Sequence, residues 1–254
     1  MLRAEYWARI AEDLQRSFTK RIAIINNVSD RVLVEKLAAK LVQGGSIDEY
    51  YFVVDHIDQA LAALELGPES LDRIPHYTDW ALVAVHSCKT DYLIHSDADV
   101  HMLDPHDWVT PSIQRLAAQP DALVANPLWS PDRFSLEKIR GENFEEDESF
   151  FKGYGFSDQL FLARTADLKQ PIYGHTHPLS LRYPLSHIAP IFEQRLDSYM
   201  RRAHKTRLTY KHAGYSHPKM LEGASYPCMQ LKERMRWHAN KAVVKVYKTL
   251  TRQV

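Results

Sequence analysis

The stretch Asp91-Tyr92-Leu93-Ile94-His95-Ser96-Asp97-Ala98-Asp99 decides how this chain is read. Tyr92 to Ile94 form a short apolar run of the kind that makes a strand, and it delivers two carboxylates separated by one residue. A strand end is rigid, so an Asp-x-Asp placed there can hold a divalent cation against a diphosphate. Mg²⁺ and Mn²⁺ favour such oxygen ligands and keep coordination positions open for substrate phosphate oxygens. One carboxylate meets the ion directly, while its neighbour binds it through water or meets a ribose hydroxyl. The pattern predicts a protein that handles a nucleotide diphosphate. The bland reading is a solvated Asp before a turn, because carboxylates spaced by two recur by chance.

The surroundings favour the first reading. A helical pattern over about 78–88 leads into the strand at 91–96, and Val100, Met102 and Leu103 are apolar before Asp104-Pro105 opens a loop. Upstream, Arg21 to Asn27 reads as a buried parallel strand. Ser29 or Asp30 can cap a following helix, with Val32, Leu33, Leu37, Leu41 and Val42 on one face and Gly44-Gly45 as its stop. Glu49 to Asp55 reads as a second strand, Asp58 to Leu66 as a helix, and Gly67-Pro68 begins a loop reaching Tyr77. This β-α-β-α-β succession favours a parallel sheet with right-handed crossovers, which binds ligands beyond the carboxyl ends of its strands. Asn26, Asn27, Asp30, Asp55, Asp97 and Asp99 all fall on that edge.

Downstream, the spacing predicts a helix over 111–118, a strand over 122–126, a long irregular loop over 127–156, and a strand over 157–164. A helix follows over 191–202, a short strand over 208–210 and a turn over 214–218. The segment 231–254 reads as a basic helix, with seven Lys/Arg against the single Glu233.

Composition bounds the function. The chain has 254 residues, 45% hydrophobic and 25% charged, ordinary for a globular protein with a substantial core. Thirty-two basic residues balance thirty-two acidic ones, so no global field argues for nucleic acid. Two cysteines, Cys88 and Cys228, make neither a disulfide framework nor a zinc cluster, and a reducing cytoplasm is the default. The N-terminal twenty residues lack a signal-peptide core, and no stretch approaches ~18 uninterrupted apolar residues. Any membrane contact is then peripheral, at the inner face, through the basic C-terminal helix, and docking of that helix on its own domain explains the same pattern and is preferred.

The segments Ile22 to Asn27, Tyr51 to Asp55 and Lys89 to Asp99 together resemble the GT-A nucleotide-sugar glycosyltransferases, especially the family-2-like branch. The resemblance covers roughly 20–218. It implies a single Rossmann-like α/β domain: a three-layer α/β/α sandwich with a mostly parallel central sheet and an elaborated C-terminal acceptor portion. About 20–126 would bind the nucleotide, 127–230 the acceptor, and 231–254 would form the basic terminal helix. By the same resemblance, Asp55 accepts a hydrogen bond from the nucleobase, Asn26, Asn27 and Asp30 line the base pocket, and Asp97 and Asp99 are the ribose and metal ligands. The family's usual P-x-Y/F-N segment is replaced by Asn26-Asn27.

His217 stands where many such enzymes complete the metal site, which would hold Mn²⁺ or Mg²⁺. Glu193 stands where inverting members carry an acidic residue that serves as catalytic base, though Gln194 replaces the usual second acid; Asp158 and Asp197 compete with it as base. Gly153 to Ala163 resembles the glycine-containing stretch beneath the donor sugar. The implied activity is hexosyl transfer from a nucleotide diphosphate sugar to an acceptor hydroxyl, on a glycan or lipid-linked acceptor, in glycan or polysaccharide biosynthesis. Two rivals are a haloacid-dehalogenase-like phosphatase and a catalytically inactive sugar-nucleotide-binding homologue. The phosphatase reading needs its Asp-x-Asp near the first strand and a later Gly-Asp or Asp-Asp, and neither dipeptide occurs in the chain.

Overall fold

A computed structural model describes residues 2–129, 143–217 and 229–251. The fold is mixed α/β. Helix α1 (Ala4–Asp13) precedes β1 (Ile22–Ile25), α2 (Arg31–Gln43), β2 (Glu49–Phe52), α3 (Val53–Ala63), α4 (Asp79–Ser87) and β3 (Tyr92–Ser96). Then come β4 (His101–Met102), α5 (Val109–Ala118), β5 (Ala122–Trp129), β6 (Asn143–Glu146), β7 (Phe150–Gly153) and β8 (Leu160–Arg164). The described chain continues with α6 (Thr165–Leu168), α7 (Phe192–Arg202), β9 (Thr206–Ser216) and α8 (Leu231–Thr251).

The expected mostly parallel central sheet is corrected on two counts. Seven strands form a mixed sheet in the order β3-β8-β5-β9-β7-β6, with β4 on β9, and only the β5–β9 pair is parallel. Strand β8 runs antiparallel between β3 and β5, which breaks the parallel succession at the centre. Strands β1 and β2 pair parallel in a separate two-stranded sheet. A cleft of about 540 Å³ lies between the two sheets, lined by Ile22 and Ile24 on one side and by Tyr92, Leu93 and Ile94 on the other.

Several boundaries also move. The second strand stops at Phe52, and Asp55 sits in the first turn of α3, where a carboxylate suits the positive end of the helix dipole. Val53, Ile57, Ala60 and Leu61 share one face of that helix and pack into the main core, so helical burial outcompetes strand propensity there. The span 127–156 is not one irregular loop: β5 runs on to Trp129, and β6 and β7 pair antiparallel within it; 130–142 lie outside the described residues. The short strand and turn expected over 208–218 are one eleven-residue strand, β9, followed by His217, while Pro218 is outside the described residues.

The core has two large lobes on the faces of the mixed sheet. One gathers Leu82, Val85, Phe161, Phe192 and Leu196; the other gathers Trp108, Leu116, Leu162, Leu208 and Tyr215. Helix α7 anchors the first lobe. Its buried Arg195 donates to the carbonyls of Pro190, Tyr173 and Ser70, which satisfies a guanidinium that burial alone would penalise heavily.

Helix α8 is docked on its own domain. Arg73 makes a two-pronged ion pair with Glu233 at 2.6 and 2.7 Å, Arg236 donates to Ile188 O at 2.9 Å, and Asn240 donates to Ser186 at 3.2 Å. No described helix is long and apolar enough to cross a membrane.

Candidate active site

The Asp-x-Asp is set by where β3 ends. The strand keeps its register with β8 one residue beyond Ser96, since Asp97 N donates to Gln159 O at 2.8 Å. The backbone then turns, Val100 N donating to Asp97 O at 3.2 Å, and Val100 is buried. The pairing with β8 before the turn and the buried Val100 after it fix both carboxylates at the sheet's edge. Strand β4 then pairs antiparallel with β9, His101 opposite Ser216, so the residue after Ser216 lies back towards the turn.

That residue is His217, whose Nε2 lies 3.1 Å from Asp99 Oδ1. Asp97, Asp99 and His217 each offer one ligand atom, and these atoms lie within 4.8 Å of one another. Two carboxylates and an imidazole fit a divalent cation such as Mn²⁺. His217 Nδ1 is buried without a hydrogen-bond partner among the described residues, so no second bond yet fixes that ring's tautomer.

Asp97 is held from three elements. His95 Nε2 lies 3.0 Å from Asp97 Oδ1, and the His95 ring stacks on Trp80 of α4 at 4.2 Å. Trp80 N and Asn26 Nδ2 both donate at 2.7 Å to Asp79 Oδ1, which ties the end of β1 to the same assembly. Burial raises the Asp79 carboxyl above the ordinary range. From α1, the Tyr6 hydroxyl donates to Asp97 O at 3.3 Å and Arg9 donates to Val100 O at 3.4 Å. Burial raises the Tyr6 phenol to about 12, and the nearby Asp97 charge adds to the effect, so the hydroxyl stays a donor.

Beside the turn is a pair of acids. The β3–β8 register continues with Asp97 against Gln159, which places Asp158 next along β8's approach. Asp158 N donates to Glu193 Oε1 at 3.4 Å, Glu193 lying in the first turn of α7. Burial raises both carboxyls, each is raised further by the charge of Asp97, and Glu193 reaches about 7. Two carboxyls in contact cannot both ionise freely, so the pair keeps a proton near neutrality.

Asp197, the third acid considered, is committed elsewhere. It accepts from Gly155 N at 3.0 Å, Ser180 Oγ at 2.6 Å and Arg201 Nε at 3.0 Å. Its task is to hold Gly155, whose φ of 93° suits glycine and whose missing side chain leaves room for Arg207 and Arg182.

The nucleotide candidates are only partly gathered. Asn26 reaches the site through Asp79. Asn27 has a φ of 52° and donates its N–H to the Asn26 side chain at 2.9 Å. Asp30 caps α2 through Leu33 N at 2.9 Å, and Asp55 forms a two-pronged pair with Arg31 that pulls its carboxyl below the ordinary range. Sequence reasoning missed α1 as a site element and assigned His95 no role. Alternating polar residues His95 and Asp97 on one face of β3's end were the available signal for the second; nothing local signals the first.

No protein-family model matches the chain, and no curated protein sequence matches it. Among solved structures, one described as GalNAc-T7 with UDP, GalNAc and Mn²⁺ is similar over 82% of this chain and 40% of its own, with a TM-score of 0.49 and 10% identity. The chain thus spans less than half the length of that neighbour.

Proposed function

We propose that the chain is a metal-dependent glycosyltransferase of GT-A type, moving a sugar from a nucleotide diphosphate sugar to an acceptor hydroxyl. The observation that carries this reading is the convergence of Asp97, Asp99 and His217, from two distant parts of the chain, beside the acids Asp158 and Glu193. Asp97, Asp99 and His217 would hold Mn²⁺ or Mg²⁺. When bound, such an ion offsets charge on a diphosphate leaving group and on the carboxylates around it.

The chain's own residues supply the rest. His95 and Tyr6 keep Asp97 aimed at the site, and Asp158 keeps Glu193 in place through its backbone N–H. A carboxyl whose pKa lies near 7 can accept the proton of an attacking hydroxyl, and Glu193 is the proposed base. Asn26, Asn27, Asp30 and Asp55 would serve the nucleotide, with Asp55 exchanging Arg31 for a base edge. Residues 20–126 would then form the donor half and 127–230 the acceptor half. The exposed apolar residues Leu231, Met235, Val246 and Leu250 of α8, among its lysines, support peripheral contact with an anionic membrane carrying a lipid-linked acceptor.

The test is release of nucleoside diphosphate from a panel of nucleotide sugars with and without Mn²⁺. Metal-dependent release from at least one donor, accelerated by acceptor, is expected. Donor binding without release from any of the panel would instead favour a non-catalytic sugar-nucleotide binder.

A further inference from the structure

A second cavity, far along the chain from the acid centre, lies where α8 crosses the segment 181–187. It has a volume of about 590 Å³, and Leu181, Pro184, Leu185, Val244 and Trp237 give it a mainly apolar wall. Three lysines of α8, Lys241, Lys245 and Lys248, line the same cavity. They recur at spacings of four and three and so share one face of the helix. Lys241 Nζ sits over the Trp237 ring at 3.4 Å from its centroid, a cation–π contact that parks the ammonium at the groove.

A further lining residue needs a partner. His187 is 7% exposed, and its Nε2 has no hydrogen-bond partner among the described residues. Buried polar atoms are normally satisfied, and this one lies in a residue of the cavity wall, so the groove's lining is not wholly apolar.

We propose that this groove binds a single anionic lipid, its chain lying against Trp237 and Val244 and its phosphate head held by Lys241, Lys245 and Lys248. An apolar floor alone would take any amphiphile, whereas three cations on one side select a negative head. The claim is independent of sugar transfer and stands or falls on binding.

The experiment uses the full chain and lipids below their micelle concentrations: lysophosphatidic acid, lysophosphatidylcholine of the same chain length, and inorganic phosphate. Saturable binding of lysophosphatidic acid is expected, with a shift in tryptophan emission that Trp237→Phe abolishes. Lysophosphatidylcholine should bind at least tenfold more weakly, and phosphate alone should leave the emission unchanged. The combined variant Lys241→Glu, Lys245→Glu, Lys248→Glu should weaken lysophosphatidic acid binding at least tenfold with an unchanged melting temperature. Should that variant fail to fold, Val244→Asp is the second probe and should weaken both lipids. Equal affinity for the two lipids, saturation by phosphate alone, an emission change that survives Trp237→Phe, or variants that bind like the parent would each overturn the proposal.

Discussion

Asp99 and Glu193 carry separate parts of the proposed chemistry, and single substitutions separate them. Asp99→Asn keeps size and removes charge; turnover with Mn²⁺ should fall at least a hundredfold while the thermal melting curve stays in place. Glu193→Gln should leave the donor's affinity unchanged in calorimetry and slow transfer, because donor binding does not need the base. Protonation gives a third prediction. Glu193 and Asp158 have folded-state pKa values raised by burial, so the native state binds more protons than the unfolded chain. In metal-free buffer, their contribution to stability is therefore greatest below the ordinary carboxylate pKa near 4.5 and is lost as pH rises towards 7. Urea denaturation across that window should show the decline, and Glu193→Gln should flatten it. At this scale the sequence was informative where one local pattern sufficed: the Asp-x-Asp, with its apolar run, announced itself. The partnership of Asp99 with His217 was reachable only by resemblance, since 118 positions separate them and a strand register brings them together.

Helix α7 is the element on which the acid side of the site depends. Its first turn presents Glu193, its middle buries Asp197 against Arg201 and the Gly155 backbone, and Arg195 fastens it to three carbonyls. Asp197→Ala removes the carboxylate that pairs with the buried Arg201 guanidinium, and breaking a buried ion pair costs about 3–5 kcal/mol in comparable cases. Chemical denaturation should report a loss of that order, and the released Gly155 segment should reduce activity in the folded fraction as well. The amphipathic pattern of 191–202 made this helix legible, because charged residues between apolar ones at helical spacing admit few other readings. The opposite held for Glu49 to Asp55. A run of β-branched and aromatic residues reads as a strand to its last member, yet Val53 and Val54 belong to a helix because Val53, Ala60 and Leu61 gain a common buried face. Strand β9 reads as a short strand over 208–210 and a turn over 214–218 because His212 and Gly214 interrupt its apolar alternation, but β5 pairs with it on both sides of an irregularity and β4 takes up Tyr215 and Ser216.

For the whole molecule, the order of elements and the parallel β1–β2 pair were readable, and the strand directions of the seven-stranded sheet were not. The alternation of helical and strand patterns gave the α/β class, but β8 inserts antiparallel between β3 and β5, a choice made by long-range pairing that leaves no mark in local spacing. The attachment of α8 is likewise a matter of distant partners. Glu233 is held by Arg73 and its carboxyl is depressed to about 2, so this contribution to stability is present above the ordinary value near 4.5 and fades as pH falls towards 2. Glu233→Gln should make the terminal helix more susceptible to limited proteolysis at neutral pH without lowering the melting temperature of the remainder; unchanged digestion would argue that the other contacts suffice. The seam between β1 and β3 has a consequence for isotope labelling. Among the described residues each strand is laced on one flank, β1 to β2 and β3 to β8, and the side-chain contacts Asn26 to Asp79 and Trp80 to His95 tie both strands to α4. Amides pointing into that seam have no strand carbonyl opposite them among the described residues, so in deuterated water they should trade protons early, drawing a fast-labelling stripe between the two sheets.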